Sequence, residues 1–409
     1  MKASLTYKAV SDHPIITIPG SKSESNRLLI LKGCYPNISI TNLSNSDDTI
    51  SLLKGIEQVD GVVDIHHAGT AMRFLTAYFA SKKGVDIIIT GSKRMHERPI
   101  RILVDALNDL GADIHYLKNK GYPPLKIIGT DLNGSSVTLD AAISSQYISA
   151  LMLIAPSLKN GLTINLEGKI TSIPYIDMTL DLLKKVGVSG TFSNNKIEIK
   201  HTKTVNSIAV NVESDWSSAS YYYSIIALSS NLELTLNNFS KNSMQGDSKI
   251  ISIFQKLGVE TIFNKNDNSI LLRHQKTEII DCLSLNLNDT PDIAQTLAVT
   301  CFGLGIPCKL EGLKTLKIKE TDRLVALKTE IEKFGTQVKI TDDSLSLSNI
   351  QPLKNDVDVE TYKDHRMAMA FAPLGLKTNL IINKAEVVSK SYPDFWKDLS
   401  QIGFSIKEN

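Results

Sequence analysis

A phrase that recurs along the chain limits its architecture more than any single motif does. It is an apolar stripe at helical spacing, then a glycine, then an alternating run that reads as a strand. Clear copies are LVDALNDLGADIHYL, whose helix ends before Gly111, LDLLKKVGVSGTF before Gly187, IISIFQKLGVETIF before Gly258, LKTEIEKFGTQVKI before Gly335 and FWKDLSQIGFSI before Gly403. A weaker copy, ISLLKGIEQVDGVVDI, surrounds Gly61. Glycine suits these places because a helix often ends in left-handed backbone angles, which a Cβ disfavours. Capping explains each copy but not the spacing of roughly 50 to 80 residues, a period long enough for a complete βα unit with extra strands. Six copies predict three units in each of two domains. Strand-like runs at Leu162–Leu166, Ser207–Val212, Leu232–Leu236 and Asn379–Val388 predict mixed sheets with the helices. The crossing between domains is expected near Val212–Ser220, with the site at the domain interface.

Composition supports two cores and narrows the partners. A chain of 409 residues with 42% hydrophobic residues is large for one core and ordinary for two. With 45 Lys and Arg against 43 Asp and Glu, the net charge is only +2, so an anion site has to be built from local clusters of cations. The same balance argues against a nucleic-acid partner. Cys34, Cys282, Cys301 and Cys308 have no zinc-ligand spacing and read as buried free thiols. The start, MKASLTYKAVSDHPIITIPG, has neither a signal core nor a transit pattern, and no run reaches the ~18 apolar residues of a membrane span. A cytoplasmic protein without a membrane partner is expected.

Local cation clusters are present. TIPGSKSESNRLLIL places Pro19 and Gly20 in a turn, then Ser21, Lys22, Ser23, Ser25 and Arg27 at a helix start, where N–H groups, hydroxyls and two cations can cradle a phosphate or carboxylate. The glycine and Lys-Ser/Thr order of a nucleotide P-loop is absent. HAGTAMRFL repeats the logic with Gly69, Thr70 and Arg73, and SKRMHERPIRIL adds Arg98 in a loop before the next helix. Ser144, Ser145 and Gln146 form a neutral donor set before YISALMLIAP, and Ser172 with Tyr175 offers another. In LNDTPDIAQ, Asp292 follows a proline at the head of an apolar helix, where either a cap or a general base fits. KIKETDRLVALKTEI puts Lys319, Glu320 and Arg323 within one turn, with Lys319 and Arg323 on one helix face, so an anion between them is expected. YKDHRMAMAF contributes His365 and Arg366, and SKSYPDF contributes Lys390. Lys22, Arg27, Arg98, Lys319, Arg323, Arg366 and Lys390 are too many cations for one phosphate and would balance two anionic substrates.

The segments PGSKSESNR, AGTAMR, ERPI, SSQ, PYID, the Pro-Asp of Asp292, KETDR, DHRMAM and KSYPDF occur in the order found in the 5-enolpyruvylshikimate-3-phosphate synthases, and the chain resembles that family over nearly its whole length. The resemblance implies an α/β (α+β) fold of two similar domains. Each would be three repeated βαβαββ units in an inside-out barrel-like arrangement, with the active site in the interdomain cleft. It implies a shikimate 3-phosphate domain at 14–212, a phosphoenolpyruvate domain at 1–13 plus 213–409, and hinges near 13–20 and 212–216. The implied activity is that of a transferase of aromatic amino acid biosynthesis. It would move the enolpyruvyl group of phosphoenolpyruvate to the 5-hydroxyl of shikimate 3-phosphate, as a monomer needing no metal or cofactor.

By matching position, the resemblance assigns shikimate 3-phosphate to Lys22, Ser23, Arg27, Ser144, Ser145, Gln146, Ser172, Tyr175, Asp292 and Lys319. Phosphoenolpyruvate falls to Lys22, Gly69, Arg98, Gln146, Arg323, His365, Arg366 and Lys390. Asp292 would take the proton of the attacking hydroxyl and Glu320 would protonate the methylene carbon, with Lys22 as the alternative donor. Cations around Glu320 favour its ionised form, so substrate charge and desolvation would have to make it an acid. His67, Phe74, Ile173 and Thr315 depart from the family pattern. Gly69 leaves room at the phosphoenolpyruvate site, so inhibition by glyphosate is expected. Two other readings remain: transfer to UDP-N-acetylglucosamine, whose enzymes usually carry a cysteine in the loop matching RMHERPI, and an inactive shikimate 3-phosphate binder.

Overall fold

The computed structural model describes residues 1–9, 13–140, 144–168, 170–277 and 280–408. They form two compact units, Gly20–Val212 and Met1–Pro19 with Glu213–Asn409. Residues 14–19, expected with the first repeat domain, belong instead to the second unit, because Ile15–Ile16 pairs in parallel with Glu233–Leu236. Residues 10–12, inside the expected 1–13 segment, lie outside the described residues.

The repeat is plainest in Gly20–Val212. Strand Asp60–Asp64, helix Gly69–Ala80, strand Asp86–Thr90, helix Arg101–Asp109 and strands Asp113–Tyr116 and Leu125–Ile128 make one βαβαββ unit. Its first two strands pair in parallel across a helical crossover, and the hairpin closes the sheet antiparallel. The stretch from Ser136–Asp140 to Lys196–Ile199 repeats this order strand for strand. The remaining repeat of this unit is shorter than the βαβαββ pattern requires. Its sheet is only Ile38–Thr41 with Ile208–Asn211, because residues 57–59 alone separate helix Asp47–Ile56 from strand Asp60–Asp64 and leave no length for a hairpin. Gly61 accordingly lies inside that strand rather than at a helix end, which accounts for its weak copy of the phrase.

The other unit holds three four-stranded sheets in the same order. The last of them takes its closing strands from the two ends of the chain: Lys2–Tyr7 pairs antiparallel with both Leu380–Asn383 and Phe404–Glu408. Across both units the five clear phrase glycines, Gly111, Gly187, Gly258, Gly335 and Gly403, have φ of 100°, 91°, 85°, 95° and 101°, the left-handed region their cap position requires. The expected strand Asn379–Val388 runs only over Leu380–Asn383. Lys384 turns into left-handed angles (φ 53°, ψ 46°) and starts a 3-10 turn at Ala385–Lys390.

Helix composition decides which helices lie inside. Trp216–Leu228, Ala294–Leu304 and Gly69–Ala80 are mostly apolar or small and are buried on almost every face, Arg73 and Gln295 included, whereas Arg101–Asp109 and Arg323–Lys333 bury one stripe. Inside the unit containing Glu213–Asn409, Ser220 Oγ meets Thr296 Oγ1 at 3.0 Å, and Thr300 Oγ1 donates to Ser224 Oγ at 2.7 Å. Equal steps of four residues on both helices mean that they run parallel, so their N-terminal ends lie together. In Gly20–Val212, Gln146 Nε2 donates to Thr70 Oγ1 at 3.3 Å, which joins the first turns of Ser145–Ile154 and Gly69–Ala80. Cys301 and Cys308 are buried thiols, but Cys34 is half-buried and Cys282 exposed, since Cys282 precedes its strand, Leu283–Asn286. Among the described residues no helix is long and apolar enough to cross a membrane.

Candidate active site

Each unit gathers candidate residues where its inner helices begin. In Gly20–Val212, Ser21 caps helix Lys22–Cys34 by accepting the Glu24 N–H, which leaves Lys22 on the first turn. Lys22 Nζ lies 3.4 Å from Asp48 Oδ2, a partner carboxylate that the motifs did not single out. Arg27, one turn further, spends its donors on neutral oxygens: Nε on Thr179 Oγ1 (2.8 Å), Nη1 on the Ser23 carbonyl (2.8 Å) and Nη2 on Ser149 Oγ (2.9 Å). Its guanidinium lies between the rings of Phe74 and Tyr175, 5.5 and 5.6 Å from their centroids. Tyr175 therefore presents its ring face to Arg27, and the departure at Phe74 has a structural role. Burial lowers the Arg27 pKa to about 10, which leaves it charged at neutral pH.

Helix Gly69–Ala80 starts after Ala68, a residue with no side chain to cap it. Arg98 lies against this end. A Cβ placed on Gly69 would sit 2.3 Å from Arg98 Nη1 and 2.8 Å from Cζ, so only glycine lets the guanidinium lie that close. Arg98 is 8% exposed, and its Nε has no hydrogen-bond partner among the described residues. A buried guanidinium donor left unsatisfied is costly, and an anion would relieve that cost. Arg73 is held nearby by the carbonyls of Gly69 and Pro99. Ser144 caps its helix by accepting the Gln146 N–H, and Ser145 is buried beside it. Ser172 is held in left-handed angles (φ 56°, ψ 40°) with no side-chain cap bond, an uncommon state for a non-glycine residue.

The second cluster, in Glu213–Asn409, is a network of opposite charges. Arg323 is 2% exposed and meets three carboxylates: Asp364 Oδ2 at 2.7 Å, Glu320 Oε2 at 2.9 Å and Asp292 Oδ1 at 3.2 Å. Burial works against its charged form, but these carboxylates, Asp364 foremost, outweigh burial and hold it well above the usual arginine value. Lys390 Nζ lies 2.9 Å from Glu320 Oε1, Arg366 Nη2 lies 3.1 Å from Asp292 Oδ2, and Lys319 Nζ lies 3.9 Å from Asp292 Oδ1. His365 is buried with Nδ1 3.7 Å from Asp364 Oδ1.

Two expectations change here. Lys319 and Arg323 do not share a helix face, because the helix begins only at Arg323 and Lys319 ends a 3-10 turn, Lys314–Ile318, with φ −81° and ψ −147°. The anion that both of them approach is the protein's own Asp292. Asp364 went unnoticed because a residue before a helix reads as a cap. It is one, accepting the Arg366 N–H at 2.9 Å, but it also anchors Arg323. The geometry provides charged donors around two carboxylates in one unit, and a cradle of cations and hydroxyls in the other.

Residues 56–399 match the family model described as EPSP synthase (3-phosphoshikimate 1-carboxyvinyltransferase). The chain is 45% identical over 396 residues to the 3-phosphoshikimate 1-carboxyvinyltransferase of Bacteroides fragilis (strain YCH46), covering 96% of each protein. It is 36% identical over 418 residues to the enzyme of that name from Colwellia psychrerythraea, covering 95% of this chain and 96% of that one. Among solved structures, EPSP synthase from Acinetobacter baumannii matches with a TM-score of 0.77 at 20% identity, over all of both chains. The enolpyruvyl transferase NikO from Streptomyces tendae matches with a TM-score of 0.74 at 12% identity, over 100% of this chain and 99% of that one. At these identities the two structures establish the fold.

Proposed function

The chain belongs to the EPSP synthase family, and from that membership we propose how its two clusters divide one reaction. The reaction transfers the enolpyruvyl group of phosphoenolpyruvate to the 5-hydroxyl of shikimate 3-phosphate and releases phosphate, a step of the shikimate pathway to aromatic amino acids. In the proposed division, Ser23, Arg27, Ser144, Ser145, Ser172, Tyr175, Lys319 and Asp292 hold shikimate 3-phosphate. Arg98 against Gly69, with Arg323, His365, Arg366 and Lys390, holds phosphoenolpyruvate, and Lys22 and Gln146 serve both.

Asp292 accepts the proton of the 5-hydroxyl as its oxygen bonds to carbon 2, and Glu320 donates a proton to the methylene carbon. Return of that proton and departure of phosphate then restore the carbon–carbon double bond, now as the enol ether. An arriving substrate anion competes for Arg366, Lys319 and Lys390, the cations now on Asp292 and Glu320. As those cations turn to substrate, both carboxylates gain proton affinity, which one needs as a base and the other as an acid. The observation that carries the division is Arg98, a buried cation whose Nε has no hydrogen-bond partner among the described residues, lying on a helix start without a side-chain cap. The reading extends to a monomer in the cytoplasm with no nucleic-acid or membrane partner; the net charge of +2 supports the absence of a nucleic-acid partner.

Phosphate release from phosphoenolpyruvate tests the reaction, with shikimate 3-phosphate in one tube and UDP-N-acetylglucosamine in another. Release is expected only in the first; release only in the second, or in neither, rejects the reading. The placement of phosphoenolpyruvate is tested at Gly69. In Gly69→Ala the new methyl displaces the Arg98 guanidinium, an overpacking effect of about 1–3 kcal/mol, so the KM for phosphoenolpyruvate should rise about tenfold. An unchanged KM would take Arg98 out of that site.

A further inference from the structure

A buried carboxylate with no role in the division above stands one hydroxyl away from it. Asp247 is 5% exposed in the 3-10 turn Gly246–Lys249 and accepts the hydroxyl of Ser217, which lies on the first turn of helix Trp216–Leu228. The Ser217 oxygen in turn accepts from Arg366 Nη2 at 3.4 Å, the same nitrogen that faces Asp292 Oδ2 at 3.1 Å. Arg366 Nη1 donates to the Asp292 carbonyl at 2.9 Å.

The turn is fixed in place from the other side. Gln245 accepts the Trp216 N–H at 2.9 Å and donates to the Ser214 carbonyl at 2.9 Å, so the segment before Asp247 is tied to the segment before Ser217. Asp247 holds this position at a disadvantage: burial, then the charge of Asp292, pushes its carboxyl up to about 7, against smaller opposing effects of Ser217 and Arg366. Packing alone would be served as well by an apolar or amide side chain.

We propose that Asp247 is a positioning residue: through the Ser217 hydroxyl it holds the Arg366 guanidinium in place when a substrate anion and Asp292 compete for it. The inference rests on the reading of Arg366 as a phosphoenolpyruvate-binding residue. The Asp292 carboxylate cannot be the fixed anchor of Arg366 Nη2, because it has to be released to accept a proton, and the Asp292 carbonyl holds only Nη1. The Asp247–Ser217 pair takes no part in the proton transfers.

The test uses Asp247→Ala, Ser217→Ala, the double variant, Asp247→Asn and Arg366→Ala in the full chain, with kcat and KM measured for each substrate. Asp247→Ala and Ser217→Ala should each raise the KM for phosphoenolpyruvate about tenfold, the size of one hydrogen bond in a charged network, and leave the KM for shikimate 3-phosphate nearly unchanged. The double variant should be no worse than the larger single effect, since both break one chain. Asp247→Asn should recover most of the loss, because its amide oxygen still accepts the Ser217 hydroxyl. If Asp247→Ala does not fold, Ser217→Ala and Asp247→Asn still decide. An unchanged phosphoenolpyruvate KM in Ser217→Ala, an equal rise for both substrates, or single effects that multiply in the double variant overturns the proposal. A raised KM in Arg366→Ala beside an unchanged one in Ser217→Ala overturns the positioning role alone. An unchanged KM in Arg366→Ala removes the reading of Arg366 and the proposal with it.

Discussion

Glu320→Gln is expected to lower kcat by about 10²–10⁴-fold, the usual contribution of a positioned general acid or base, while the KM for each substrate changes only a few-fold. The glutamine keeps the volume of the side chain that lies between Lys390, at 2.9 Å, and Arg323, at 2.9 Å. It keeps a carbonyl oxygen for one of these cations and loses only the group that can carry a proton to the methylene carbon. Steady-state phosphate release over a matrix of both substrates separates the two parameters. A variant that retains most of its turnover with unchanged affinities would transfer the acid role to Lys22, whose Nζ lies 3.4 Å from Asp48.

Arg323→Met should show the largest loss of stability. The replacement is close in volume, so what it removes is charge. Asp364, wholly buried and 2.7 Å from the guanidinium, would be left with Asp292 and Glu320 as three neighbouring carboxylates without their shared cation. Removing one partner from a buried ion pair costs about 3–5 kcal/mol, and a unit of this size loses about 2–4 °C per kcal/mol, so the transition should fall by about 6–20 °C. Calorimetry checks this directly, and a midpoint within about 2 °C of the parent would show that the carboxylates find other compensation. Activity should fall with it, since the same arginine orients both carboxylates assigned to proton transfer.

The α/β class and the repeats were legible in the chain because they rest on local physics. A glycine required at positive φ, as at Gly111 or Gly403, is visible beside any amphipathic stripe. Central helices such as Ala294–Leu304 show their burial in a run of small and apolar residues that only Gln295 interrupts. What stayed hidden depends on partners distant in sequence. Ile15 and Ile16 look like the start of the segment that follows them, and only their pairing with Thr235 and Leu236 assigns them to the other unit. The candidate residues stood out where glycine, serine or proline marks a helix start, as at Lys22 and Gly69. Asp48, Asp247 and Asp364 did not, because an acidic residue near a helix start has an ordinary capping role, and nothing local reveals a cation or hydroxyl waiting across the fold. The helix-face inference for Lys319 and Arg323 failed for a related reason: periodicity carried the helix one turn too far back.

The N-terminal strand sets an order on synthesis. Lys2–Tyr7 is made long before its two neighbours in the sheet, Leu380–Asn383 and Phe404–Glu408. Gly20–Val212 is one uninterrupted stretch whose sheets need nothing made after Asn211. The nascent chain thus has to carry that strand without a sheet partner until residue 380 and those after it have been translated. A truncated message that ends before residue 380 leaves that strand with neither neighbour, however much of the rest has folded.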